Sequence, residues 1–204
     1  MTAEAYMNSP SETDKHATVG STIKQLRKER KLSLQQLSKL SDVSVGMLSQ
    51  IERDLANPSL KVMAKIQTAF GIRFSAFYSP HPQAAQSLKQ PKFVCRKDHR
   101  PRCELGYLTK ELLSTPSTQN LEIMMLNIPP NGSSGDTPFS TPSEKGGLVL
   151  EGEIVITVGE NEARLTRGDS FSFDGKLPHT FRNESESPAI VLWIISNFPI
   201  ERHL

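Results

Sequence analysis

The chain has 204 residues and nearly balanced charge, with 24 Lys and Arg against 22 Asp and Glu, and it holds two cysteines. That length allows one large domain or two modest ones. It contains no run of about 18 or more apolar residues that could span a membrane, its first twenty residues have no apolar stretch suited to a secretory signal, and two cysteines do not make a disulfide scaffold. The expectation is a cytoplasmic protein.

The charge is uneven. Residues 18–80 carry ten Lys and Arg against four acids, whereas residues 81–204 carry thirteen against fifteen. A basic excess confined to one segment suits a phosphate backbone, with a solvated basic face as the plain alternative.

Residues 1–17 are polar and aperiodic and read as a disordered tail. From Val19, the run VGSTIKQLRKERK sets Ile23 and Leu26 on one face of an amphipathic helix. Ser33–Glu52, SLQQLSKLSDVSVGMLSQIE, reads as two short helices and a tight turn. Ser33 with Gln36 suits a capping box, Ser44 is an N-cap, and Asp42 sits at a corner that favours left-handed backbone. Leu37, Val43, Leu48 and Ile51 point inward if the helices cross steeply, and small Ser38 permits close approach. Ser59 caps a further helix whose core face is Leu60, Met63 and Ile66, ended by Gly71. Ile72, Phe74 and Phe77 complete a small core.

Residues 79–91 hold three prolines and little apolar content, as a linker does. Beyond them helical periodicity stops. Nine short strands are predicted: KFVC, LGYLTKEL, LEIMMLNI, GLVL, EIVITV, ARL, SFSF, TFRN and AIVLWIIS. Their spacing suggests a sandwich or barrel. AIVLWIIS is apolar on both faces, consistent with a buried strand and with a dimer interface. Cys95, His99 and Cys103 fall at C-x3-H-x3-C, which is not a usual structural zinc spacing and lacks a nearby fourth ligand. Incidental thiols are the expectation.

The pattern of caps, corner and apolar positions between Ile23 and Phe77 resembles the helix-turn-helix of phage-repressor-like (XRE, Cro-cI type) regulators, with Asp42 and Ser38 where relatives usually have Gly and Ala. The resemblance implies a five-helix DNA-binding domain over 18–78 that reads double-stranded operator DNA as a homodimer. Its second helix would touch bases through Ser44, Val45, Met47, Ser49 and Gln50, with Ser33, Gln35, Arg53, Asn57 and Ser59 as further DNA contacts. Lys24, Arg27 and Lys28 on the first helix are further phosphate candidates. Gly46 and Leu34 leave two contacts used by relatives without a partner.

Residues 92–204 resemble the cupin family, a double-stranded β-helix barrel, on Gly152, the hairpin at Gly159, Gly168-Asp169, and Pro178-His179 followed by Asn183. The family's metal ligands are two His, a Glu and a third His. Here the first three positions fall near Phe139, near Thr141 and on Lys145, and only His179 remains. Glu144 points to the opposite face of its strand. No metal, no cofactor and no enzymatic activity are therefore expected. The remaining cavity would bind a small-molecule effector through Lys145, His179 and Phe181. Regulators that join these two domains sense amino acids, polyamines or related catabolites, so the expected function is a transcriptional regulator of the repressor kind. The alternatives are a metal-dependent cupin enzyme with a DNA-binding head and an antitoxin-type autoregulator.

Overall fold

A computed structural model describes residues 18–78, 91–115, 118 and 120–197; the predicted tail at 1–17 and linker residues 79–90 lie outside the described residues. Four helices form the first domain: α1 (Val19–Glu29), α2 (Leu34–Ser41), α3 (Val45–Glu52) and α4 (Leu60–Phe70). Each opens on a hydroxyl. Thr18, Ser33, Ser44 and Ser59 each accept the backbone N–H three residues on, and Gln36 completes the capping box. Asp42 takes the left-handed corner at φ 51°, where Lys65 Nζ donates to its carboxylate at 2.6 Å. Ile23, Leu37, Leu48, Ile51, Met63, Ile66 and Phe77 form a buried core. Gly20 lets α1 lie directly on α3, since a Cβ there would collide with the carbonyl of Ile51.

A fifth α-helix does not form. The segment after α4 makes one 3-10 turn, Phe74–Phe77, closed by Ala76 N–H to Arg73 O (3.1 Å) and Tyr78 N–H to Ser75 O (3.2 Å). One turn of three-residue bonds is all these residues supply, and burial of Phe74 and Phe77 holds it in place.

Among its described residues the second domain holds nine antiparallel strands in two sheets. The larger sheet runs in the order β1 (Arg102–Glu104), β2 (Thr109–Leu112), β3 (Leu121–Ile128), β9 (Ala189–Ser196), β4 (Glu144–Glu151) and β7 (Ser170–Asp174). The smaller one is β6 (Asn161–Thr166), β5 (Glu153–Val158) and β8 (His179–Arg182). Gly152 (φ 70°) and Gly159 (φ 59°) make the turns on either side of β5.

The largest differences from the expected strands fall at the start of the domain. KFVC is not a strand; the edge strand is Arg102–Glu104, paired with Thr109–Glu111. The first half of LGYLTKEL is the turn between them, with Leu105 N–H donating to Leu108 O at 3.0 Å and Gly106 at φ 75°. The side chain of Asn57 packs on the open face of Gly106, so a loop of the head touches this turn.

Strand alternation fixes which side chains meet. In β2, Lys110 and Leu112 face inward; in β3, Glu122, Met124, Leu126 and Ile128 do. Register carries an inward row across the sheet from Glu122 through Ile195 and Lys145 to Phe173. Asn183 ties the rim together: its amide donates to Ile128 O, Pro129 O and Ser187 O, and its oxygen accepts Ser185 N–H. Among the described residues no helix is long and apolar enough to cross a membrane.

Candidate nucleic-acid interface and interdomain cavity

On the head, α3 presents an open face. Ser44, Val45, Gly46, Met47 and Gln50 are exposed, and nothing lies within 4 Å of where a Gly46 side chain would project. Val45 and Met47 remain 39 % and 38 % exposed although apolar. Ser49 is half-buried, and Ser33, Gln35, Arg53 and Asn57 are exposed around it. Ser44 spends its acceptor on the cap, leaving its hydroxyl proton free to donate. Leu34 packs against the core.

Two of the ten residues expected to meet DNA lie against the second domain. Asn57 rests on Gly106, and Ser59 neighbours Gly135 while capping α4. Arg27 is not available to phosphate: its guanidinium is held bidentately by buried Glu52 (Nε–Oε1 2.6 Å, Nη2–Oε2 2.7 Å) and also donates to Leu32 O. Arg30 spans to Phe70, donating to its carbonyl with its guanidinium 4.9 Å from the ring centroid.

In the second domain Lys145, His179 and Phe139 converge. His179 Nδ1 is 2.7 Å from Leu177 O, an atom that only accepts, so Nδ1 carries the proton and Nε2 presents a lone pair. Lys145 Nζ donates to that lone pair at 2.6 Å and stands 4.7 Å from the Phe139 ring centroid. Phe139 and Phe173 flank the imidazole at 4.4 and 4.9 Å between ring centroids. Burial, reinforced by Lys145, lowers His179 to about 4 and keeps it neutral. Burial, with a contribution from Lys110, brings Lys145 down to about 7.

These residues do not fit a cupin metal ion. A phenyl ring, a hydroxyl, an ammonium and one imidazole are the wrong donor set, and the free lone pair of that imidazole is taken by the ammonium. Cys103 faces the sheet interior, where burial raises its thiol to about 12, and the Cys95 sulfur lies 3.8 Å from Leu112 O.

Above this cluster is a cavity of about 330 Å³. Lys145, Phe181 and Trp193 line it, with Phe139 and Thr141 at the rim. The opposite wall comes from the head, namely Leu60, Ala64, Gln67 and Thr68 of α4 with Ile72 and Phe74 beyond it. This wall lies outside the barrel interior, where the strand pattern alone puts the cavity. Lys110 and Glu122, not among the expected effector contacts, line the same space. Lys110 Nζ sits 4.1 Å from the Phe74 ring centroid, crossing from one domain to the other. Glu122 is held by Arg73 Nε and by Ser75 N–H, both at 3.2 Å, and Arg73 donates further to Thr118 O. A charged residue at an inward position of an alternating strand was the available signal for both.

The profile of the family described as Helix-turn-helix matches residues 23–77, and that of the Cupin domain matches residues 124–195. The HTH-type transcriptional regulator PuuR of Escherichia coli is 24 % identical over 173 residues, covering 85 % of this chain and 91 % of that protein. The HTH-type transcriptional regulator SutR of the same organism is 29 % identical over 174 residues, covering 82 % and 88 %. A crystal structure of an HTH_3 family transcriptional regulator from Vibrio cholerae superposes with a TM-score of 0.62 at 25 % identity, covering 90 % of this chain and 96 % of that one. Both domains, in this order, thus have counterparts: the chain joins a helix-turn-helix domain to a C-terminal cupin domain and is similar over most of its length to HTH-type transcriptional regulators.

Proposed function

We propose that this DNA-binding regulator is a repressor that reads a pseudo-palindromic operator as a homodimer and senses a small metabolite in the cavity between its domains. It is not an enzyme on this reading, and the domains divide as 18–78 and 92–204. The observation that carries the sensing role is the shared wall: one cavity is lined by the Lys145 cluster on one side and by α4 of the head on the other. A molecule held there touches both the sensor and the DNA-reading unit, so it has different contacts in different relative arrangements of the two.

The exposed face of α3 supports base contact by Ser44, Val45, Met47, Ser49 and Gln50, where a Gln can pair with adenine and an apolar side chain can meet a thymine methyl. Ser33, Gln35 and Arg53 serve as flanking contacts, whereas Asn57 and Ser59, which lie against the second domain, leave that set. Lys145 and Phe181 meet the effector, and His179, which does not line the cavity, acts by holding Lys145. Homodimerisation finds support on the outer face of the large sheet, where Ile123, Met125, Leu148, Leu192 and Ile194 form a half-buried apolar patch.

Footprinting of the purified chain on the DNA flanking its own gene tests the reading. The expected result is a protected site with two half-sites about one helical turn, roughly 34–36 Å, apart. Absence of specific protection at modest salt overturns it.

A further inference from the structure

We propose that the interdomain cavity takes a small organic anion, a carboxylate, whose charged end is held between Lys110 and Lys145 and whose body rests on Trp193 and the α4 wall. The inference rests on the sensing role proposed above and narrows the effector to one charge class.

Three ionisable side chains line the cavity: Lys110, Glu122 and Lys145. All three are buried, at 6 %, 2 % and 4 % exposure. The carboxylate is already engaged by Arg73 and by the N–H of Ser75. Neither lysine has that kind of partner, since among the described residues no carboxylate lies within ion-pair distance of either ammonium. Lys110 meets the face of Phe74; Lys145 meets one imidazole nitrogen and the face of Phe139. An ammonium has three donors, so donors remain unspent in a low-dielectric space. Buried cations with no carboxylate in contact are costly to keep, and the field of Glu122 offsets only part of that cost at Lys110. The cost shows in the titration of both: burial lowers Lys110 to about 8, and Lys110 adds to the depression of Lys145.

An arriving carboxylate supplies the missing charge to both lysines. A diamine or other cationic ligand meets the reverse situation, two like charges against one carboxylate whose Oε1 is already held by Arg73 and Ser75. The volume, about 330 Å³, lies at the small end of ligand pockets. Trp193, Phe181 and Leu126 offer apolar surface for the rest of the molecule. The neutral His179 holds Lys145 in place without competing for the anion. Drawing Lys110 toward the anion would also weaken its contact with Phe74, which belongs to the head.

The chain has a single tryptophan, and it lines the cavity. The test is therefore a titration of Trp193 fluorescence in the full chain near pH 6.5 with acetate, succinate, glutarate and benzoate. Tetramethylenediamine and pentamethylenediamine are titrated in parallel, with a thermal shift on the same samples. At least one acid is expected to saturate the signal and raise Tm, and neither diamine is. Lys145→Met and Lys110→Met should each weaken that acid by about ten- to a hundredfold, the loss of one charge-assisted hydrogen bond, while Lys145→Arg retains part of the binding. Circular dichroism of each variant confirms folding. Saturation by a diamine, or by no acid, overturns the anion assignment, as does an acid response that survives both methionine variants. A mobility shift on operator DNA separates the two levels. A diamine that saturates and releases DNA leaves the sensing role intact and removes the anion; a chain with no specific DNA binding removes the regulator reading whatever the fluorescence does.

Discussion

Lys145 Nζ stands 2.6 Å from Nε2 of His179, with the ammonium donating into the one lone pair through which that imidazole could have bound a metal. The lysine thus replaces a divalent cation by a single positive charge on a side chain. The ammonium and the ring of Phe139 offer charge and an aromatic surface that attract and orient a bound molecule. Together with the cavity wall shared by the two domains, this cluster supports the proposed sensing role.

Lys145→Met should raise Tm near pH 7, and the gain should shrink as pH rises. Folding lowers Lys145 from 10.5 to about 7, so between those values the unfolded chain holds a proton that the folded chain has released. Stability of the wild type therefore climbs with pH across that window, and this share of the slope vanishes with the lysine. The charged and titratable groups facing Lys145 are His179 on β8, Lys110 on β2 and Glu122 on β3; His179 stays neutral throughout. Thermal melts of both proteins at several pH values check it, and a gap that does not change with pH contradicts it. A stabilising change at a binding residue is the usual sign of a site kept for function.

How much of this was legible in the sequence follows from the range of each interaction. The caps at Ser33, Ser44 and Ser59 and the left-handed corner at Asp42 are settled within four residues, and the chain shows them directly. The long strands β3 and β9 announce themselves as apolar runs bounded by turn residues, β9 also by its β-branched content. Arg102–Glu104 does not, because a three-residue edge strand with one buried cysteine between two charged residues exists only through its partner. Phe139, Lys145 and His179 were placed on one site by resemblance. Arg73 reaching Glu122, and α4 closing the cavity, depend on how the two domains meet, which no local pattern encodes.

Arg73→Ala should destabilise the chain by about 1–3 kcal/mol, because Glu122 is left buried with one backbone donor. The arginine is itself one-third exposed, so the larger penalties of fully buried pairs do not apply. Adding Glu122→Gln should restore part of the loss. Denaturant unfolding measures both, and an unchanged Arg73→Ala midpoint contradicts the contact.

Gln50→Ala and Arg53→Ala should separate base reading from anchoring. Loss of a bidentate base contact weakens operator binding by about 1–3 kcal/mol and relaxes preference at one position. Loss of a phosphate contact weakens all duplexes alike and lowers the salt slope by about 1. Titrations on specific and random duplexes at several salt concentrations distinguish them. Identical behaviour of the two variants contradicts the assignment.

Leu192→Glu tests the dimer face. Leu192 pairs with Met125 and Leu148 in the outward row of the large sheet. A charge there should yield monomers by sedimentation and weaken operator binding at least about tenfold, since one half-site alone is held less tightly. A variant that sediments as the wild type moves the interface elsewhere.

The most direct test of the account is the affinity of the full chain for duplexes enriched by repeated selection from a random pool, measured against shuffled versions of the same sequences. Specific recognition through α3 predicts a two-fold symmetric consensus bound at least about a thousandfold more tightly than its shuffled form. Equal affinity for both would contradict it.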